Sequence, residues 1–186
     1  TLHMENGSID RAVELLGSAY ADGLDYQYLD QALAWLIQIS EWNRVGELLS
    51  AADAQRDTLT DEDHSRLLVR EAGLRQYNGD SVAAAAAWQE AVELDPTNAE
   101  ALMSLGQHFH GARDFARAEI FFQRAGAFDM YRENSLLSRA QLAIDLEDFE
   151  RALNLLREVV AGNPARTDLQ RAIETLENLT LLREDG

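Results

Sequence analysis

Residues 99–132 read AEALMSLGQHFHGARDFARAEIFFQRAGAFDMYR. Two apolar series run through them at helical spacing: Leu102, Leu105, Gly106 and Phe109, then Phe115, Ala118, Phe122 and Ala125. Residues three or four apart share one face of a helix, so each series predicts an amphipathic helix. Gly111 to Asp114 interrupt the pattern, and Asp114 supplies an acceptor for the unpaired N–H groups that open a second helix. The stretch predicts a helix–turn–helix unit.

The unit recurs along the chain. The only two prolines, Pro96 and Pro164, stand 68 residues apart, twice 34. A shift of 34 aligns Ala84 with Ala118 and Ala152, and Asp80 with Asp114 and Asp148. It also aligns Trp88, Phe122 and Leu156, then Leu68, Leu102 and Leu136, then Ala72, Gly106 and Ala140. Independent columns agreeing on one period mark an internal repeat. Small residues at fixed places predict close crossings, with Ala72 facing Ala84, Gly106 facing Ala118 and Ala140 facing Ala152. Thr60–Asp63, Thr97–Glu100 and Thr167–Gln170 have capping-box spacing at the starts of first helices. Asp95-Pro96 and Asn163-Pro164 close second helices, because proline disfavours helical backbone in the residue before it.

Composition narrows the chemistry. With no cysteine among 186 residues, disulfides, zinc–thiolate sites and thiol nucleophiles are excluded, and cytoplasm and periplasm are both compatible. The longest apolar run, Val82 to Trp88, is far short of the ~20 residues a membrane span needs, so no direct membrane insertion is expected. All 16 basic residues are arginine, against 33 acids, for a net charge of −17. That balance opposes a nucleic-acid backbone or an anionic membrane surface as partner. The charge is −10 over residues 1–64 and −7 over the rest, which reads first as a solvated acidic surface.

These units resemble the tetratricopeptide repeat, or TPR, family. Residues 99–132 carry its small/large pattern most fully, and 65–98 and 133–166 share Ala72/Ala140, Ala84/Ala152, Ala91 and the closing Pro96/Pro164. Those two depart at Glu71 and Arg139, where the better copy has Leu105, which predicts rotated or looser helices there. A weaker copy spans 26–59 through Leu29, Leu33, Leu36, Trp42, Val45, Leu49 and Ala52. Thr60 to His64 follow it as an insertion, predicting a next first helix about one turn longer. Residues 7–25 read as the second helix of a truncated repeat, with Thr1 to Met4 as a stub of its partner or a cloning scar, so the natural protein is expected to continue upstream. Residues 167–183, with Leu169, Ile173, Leu176 and Leu179 in one stripe, read as a cap or as the first helix of a further repeat. The resemblance implies one array over 1–186, an all-α right-handed α-solenoid of antiparallel helix pairs. It would hold about four full repeats, a half repeat and a terminal helix.

A search for chemistry finds little. His108 and His110 diverge by about 200° around a helix, so they do not pair as metal ligands, and His3 and His64 are isolated. Asp61-Glu62-Asp63 lacks the alternation and glycine of a calcium loop. No phosphate loop or activated nucleophile is present. Neither catalytic residue nor cofactor nor metal is expected, and the chain is read as non-enzymatic.

Function then rests on a surface. In such a solenoid the first helices line the concave side. The residues expected there are Gln27, Asp30, Ala34 and Ile37; Arg66, Val69, Gly73, Gln76 and Tyr77; Glu100, Met103, Gln107 and His110; Asn134, Leu137, Gln141, Ile144 and Asp145; and Asp168, Arg171 and Thr175. Amides can bond both donors and acceptors of an extended backbone, and Val69, Met103 and Leu137 are expected to form shallow apolar sockets. Family members that clamp a C-terminal carboxylate use Lys and Asn on successive first helices. Here the matching places hold Asp30, Ala34, Val69 and Gly73, with Arg70 the nearest cation, so such a clamp is not expected. The reading is a scaffold binding a protein or peptide in the groove. A scaffold region in a cell-envelope or polysaccharide-export assembly, or a regulatory fragment of a larger protein, stand as alternatives. Weak self-association is also expected through the ends, by Ile9, Val13 and Leu16 at one and Leu181 and Leu182 at the other.

Overall fold

The computed structural model describes residues 2–184, with side chains described for 7–178 and Thr180, and each regular element among them is helical. In chain order they are α1 (Leu2–Ala21), α2 (Tyr26–Gln38), α3 (Trp42–Asp53), α4 (Asp61–Tyr77), α5 (Ser81–Leu94), α6 (Ala99–Gly111), α7 (Phe115–Ala125), α8 (Asp129–Asp145), α9 (Phe149–Gly162) and α10 (Thr167–Glu184). One 3-10 turn, Arg56–Thr58, separates α3 from α4. α1 runs unbroken from Leu2, so residues 2–6 extend it rather than forming a separate stub. Thr1 and the side chains of His3, Leu179, Leu181 and Leu182 lie outside what is described, and with them the apolar surface expected of the two last leucines.

The turns repeat as the columns predict. Asp80, Asp114 and Asp148 each accept from the backbone N–H three residues on, at 3.0, 3.1 and 3.2 Å, capping α5, α7 and α9. The residue before each cap is left-handed: Gly79 at φ 84°, Arg113 and Glu147 at φ 58°. A side chain pays a steric cost in that region that glycine escapes. Arg113→Gly is therefore expected to stabilise the protein by about 0.5–1 kcal/mol, and Gly79→Ala to destabilise it by about 1 kcal/mol. Urea denaturation of the two variants checks the opposite signs. Asp95 and Asn163, each before a proline, are extended at φ −129° and −142° and stop α5 and α9.

First-helix starts follow the sequence less closely. Thr60 caps α4 through the Asp63 N–H at 3.1 Å, and α4 opens at Asp61, one turn ahead of the repeat. At α6, however, Asn98 Oδ1 accepts from the Ala101 N–H, while Thr97 bonds Asp95. The helix opens one residue later than the capping-box spacing implies, so Asn98, not Thr97, is the N-cap and accepts from the third helical residue. At α10 the Gln170 amide donates to the Pro164 carbonyl, and Thr167 already lies within the helix.

The chain forms two compact units, Thr1–Ala101 and Leu102–Gly186. In the first, α4 packs on α5, α2 and α3, and the core gathers Tyr20, Leu29, Leu33, Leu36, Val45, Leu48 and Leu67. In the second, α8 packs on α7 and α9, α10 on α9, and the core gathers Leu136, Ala140, Ala152, Leu156, Val159 and Leu176. The columns Ala84/Ala118/Ala152, Trp88/Phe122/Leu156 and Leu68/Leu102/Leu136 are buried throughout. The nearest neighbour of Gly106 is the Phe122 ring: a Cβ there would overlap Phe122 Cδ1 and stand 2.5 Å from Cε1.

Glu71 and Arg139 do not loosen their helices. Arg56, brought in by the 3-10 turn, bonds Glu71, Asp53 and His64, and Arg75 adds a second contact to Glu71 at 3.5 Å. Arg139 donates to Glu119 Oε1 at 2.9 Å, and Arg151 meets the same oxygen at 2.6 Å. Each charge in the seam has a counter-charge from a neighbouring helix or turn.

Candidate functional site

The first helices carry the residues expected to line a groove, and the two units are described in turn. In Thr1–Ala101, Arg70 lies between two carboxylates: Nε donates to Asp30 Oδ1 at 2.8 Å and Nη1 to Glu100 Oε1 at 2.6 Å. Burial works against its charge, but the bonds and charges of Asp30 and Glu100 outweigh that and hold the guanidinium above the ordinary arginine range. One arginine thus ties α4 to α2 and to the first turn of α6. Tyr26 is buried beside this set with a hydroxyl that has no hydrogen-bond partner; burial first, then the Asp30 charge, raise its pKa. Arg66 pairs with Glu62 and Asp63 one turn back.

Other expected lining residues are not open. Val69 is 5% exposed, because α4 packs against three helices and keeps only a narrow free stripe. Met103, in α6, is 6% exposed. Neither forms a shallow socket; both are core. Ile37 is half-buried beside Gly73. What remains accessible is Gln27, Gln76 and Tyr77. Tyr77 is 60% exposed and stacks on Trp42 with ring centroids 4.6 Å apart and planes 12° apart.

In Leu102–Gly186, Gln107 and Asn134 are exposed on α6 and α8, and Arg171 on α10. His110 Nε2 lies 2.7 Å from Asp145 Oδ2, and Gln141 donates to Asp145 Oδ1 at 2.9 Å. The Gln141 bond first, then the His110 bond, hold the Asp145 carboxyl below its ordinary range. Leu137 and Ile144 are half-buried against the unit's core. Asp168 closes on Arg166, whose Nη2 donates to it at 2.8 Å.

The sequence reading thus named residues of two kinds. Asp30, Arg70 and Glu100 in one unit and His110, Gln141 and Asp145 in the other satisfy one another, and Arg66 pairs with Glu62 and Asp63, whereas the side-chain amides of Gln27, Gln76, Gln107 and Asn134 make no hydrogen bond among the described residues. The arginine bridge was missed, although its signal, opposite charges on consecutive first helices, stands in the sequence. Among the described residues no three His, Asp or Glu side chains converge as a metal site would, and no helix is long and apolar enough to cross a membrane.

Residues 69–131 match the family model for the tetratricopeptide repeat. Among solved structures, the chain is similar to a thermophilic TPR protein of Thermus thermophilus, with a TM-score of 0.62 and 16% identity over 93% of this chain and 92% of that one. It is also similar to Pseudomonas aeruginosa pilF, with a TM-score of 0.65 and 17% identity over 91% of this chain and 74% of the other. No curated protein matches it. The helical pairs, the tetratricopeptide-repeat match over residues 69–131 and these neighbours define an α-solenoid of the TPR fold. Such repeats generally serve as scaffolds for protein–protein interaction.

Proposed function

We propose that this protein is a non-catalytic scaffold that binds an extended protein segment or peptide on the exposed faces of its first helices. The observation that carries the reading is the set of unpaired amides, Gln27 and Gln76 in one unit and Gln107 and Asn134 in the other. An amide offers a donor and an acceptor at once, which suits the alternating groups of a peptide backbone. Tyr77, Ile37 and Leu137 add apolar contact beside them, and Arg171 adds one cation. The charged residues between the amides are consumed by one another, so binding should depend little on salt.

The test is selection of ligands from a random peptide library, followed by calorimetry with Gln76→Ala/Tyr77→Ala and, separately, Gln107→Ala/Asn134→Ala. Each pair is expected to weaken binding by about tenfold, equivalent to about 1.4 kcal/mol, with melting temperature unchanged. Met103 is left untouched, since its burial would confuse binding with stability. Selected peptides that bind both variants as tightly as wild type would place recognition elsewhere.

A further inference from the structure

The stacked aromatic pair of the first unit forms a platform. Trp42 opens α3 and packs against the unit's core, and Tyr77 closes α4. With ring planes 12° apart, Trp42 covers one face of Tyr77 and holds it in place. Tyr77 is still 60% exposed, so its other face is open to solvent. Gly73 stands one turn before Tyr77 on the same side of α4. A Cβ at Gly73 would lie 4.0 Å from Ile37 Cδ1 and meet nothing nearer, so the helix adds no side chain beside the ring. Two donors flank the pair. The indole N–H of half-buried Trp42 and the amide of exposed Gln76 make no hydrogen bond among the described residues.

Three features define the occupant. The open ring face takes an apolar ring laid flat on it. The indole is a donor with no acceptor, so it calls for a carbonyl. The nearby carboxylates are engaged: Glu41 by Arg44, Glu71 by Arg56, and Asp80 by the first turn of α5. A proline-rich segment meets all three. In the polyproline II form its carbonyls make no internal hydrogen bonds, its rings are apolar, and proline brings no N–H that needs an acceptor. A sugar could stack on the same face, but its hydroxyls need acceptors as well as donors. We propose that Trp42, Gln76 and Tyr77 dock a proline-rich segment of another protein, with a proline ring on the open face of Tyr77 and a backbone carbonyl on the Trp42 indole N–H. A second copy of this chain does not supply the segment, because its only two prolines, Pro96 and Pro164, stand far apart in sequence. This docking presupposes that the first-helix faces bind peptide, and it specifies which peptide.

Decaproline, a glycine–serine peptide of the same length and cellohexaose are the probes. Calorimetry should show decaproline binding about tenfold more tightly than either of the others, since its conformation is already set. Tyr77→Ala should weaken that binding about tenfold, and Tyr77→Phe should leave it unchanged, because the ring face is used and the hydroxyl is not. Trp42→Phe keeps a ring but loses the donor, and should weaken it about fivefold, the worth of one hydrogen bond. In an NMR correlation spectrum, the indole N–H signal absent from Trp42→Phe should move when decaproline is added to the wild type. Decaproline binding that Tyr77→Ala and Trp42→Phe leave unchanged, or cellohexaose binding more tightly than decaproline, would overturn the proposal. So would decaproline failing to bind while library-selected peptides still do, a result that leaves the broader peptide reading standing. If no peptide of either kind binds, both readings fall.

Discussion

Phe122→Ala is expected to lower stability by about 3–5 kcal/mol, the usual loss for truncating a fully buried aromatic ring. Phe122 is 0% exposed and its ring packs directly on Gly106 of α6, so truncating it opens a void in the α6/α7 crossing, while its backbone carbonyl keeps the Ser135 bond. The neighbouring Gly106→Ala should cost about 1–3 kcal/mol, because its new Cβ would sit 2.5 Å from Cε1 of a ring with nowhere to move. The two losses should not add. Once the ring is gone, the methyl added at position 106 enters vacated space, and the double variant should be at least as stable as Phe122→Ala alone. Urea denaturation of the four proteins measures the coupling. If Gly106→Ala costs the same with and without the ring, the contact between them is misplaced.

Arg70→Ala is the second large effect, about 2–3 kcal/mol. Removing the guanidinium leaves Asp30 largely buried without a counter-charge, next to the unpartnered Tyr26 hydroxyl. The cost stays below that of stranding a deeply buried ion because Glu100 reaches solvent. Arg70→Lys should recover only part of it, since one ammonium cannot fork to both carboxylates. Arg70→Met with Asp30→Leu should recover more, having removed both charges together. A melting temperature for Arg70→Ala within error of wild type would show that the bridge contributes nothing.

Both effects bear on what could be read from the chain without coordinates. Period-34 columns of one residue type, Ala84/Ala118/Ala152 and Asp80/Asp114/Asp148, were legible because their physical reason repeats: a close crossing, a cap. What was hidden depends on pairs without a period. Gly106 answers a phenylalanine that other repeats replace by Trp88 or Leu156, so its partner could not be inferred from the column. Glu71 and Arg139 looked like defects because their counter-charges, Arg56 and Glu119, sit 15 and 20 residues upstream. For the candidate site, helical spacing identified which helix carries each residue. It did not tell Val69 and Met103 from Gln76 and Gln107, since each pair stands within about 20–40° around its helix and packing by neighbouring elements, not helical phase, decides which residue is covered.

The charges at the Leu105 position also act as keys. A repeat array with identical seams could be cut, duplicated or reshuffled and still close. Here the unit at 65–98 fits behind a segment that delivers an arginine, as Arg56 does, and the unit at 133–166 fits behind one that delivers a glutamate, as Glu119 does. Exchanging the two units would set Arg139 beside Arg56 and Glu71 beside Glu119, like charge against like charge in both seams. The order of the repeats is written into the fold as well as into the gene.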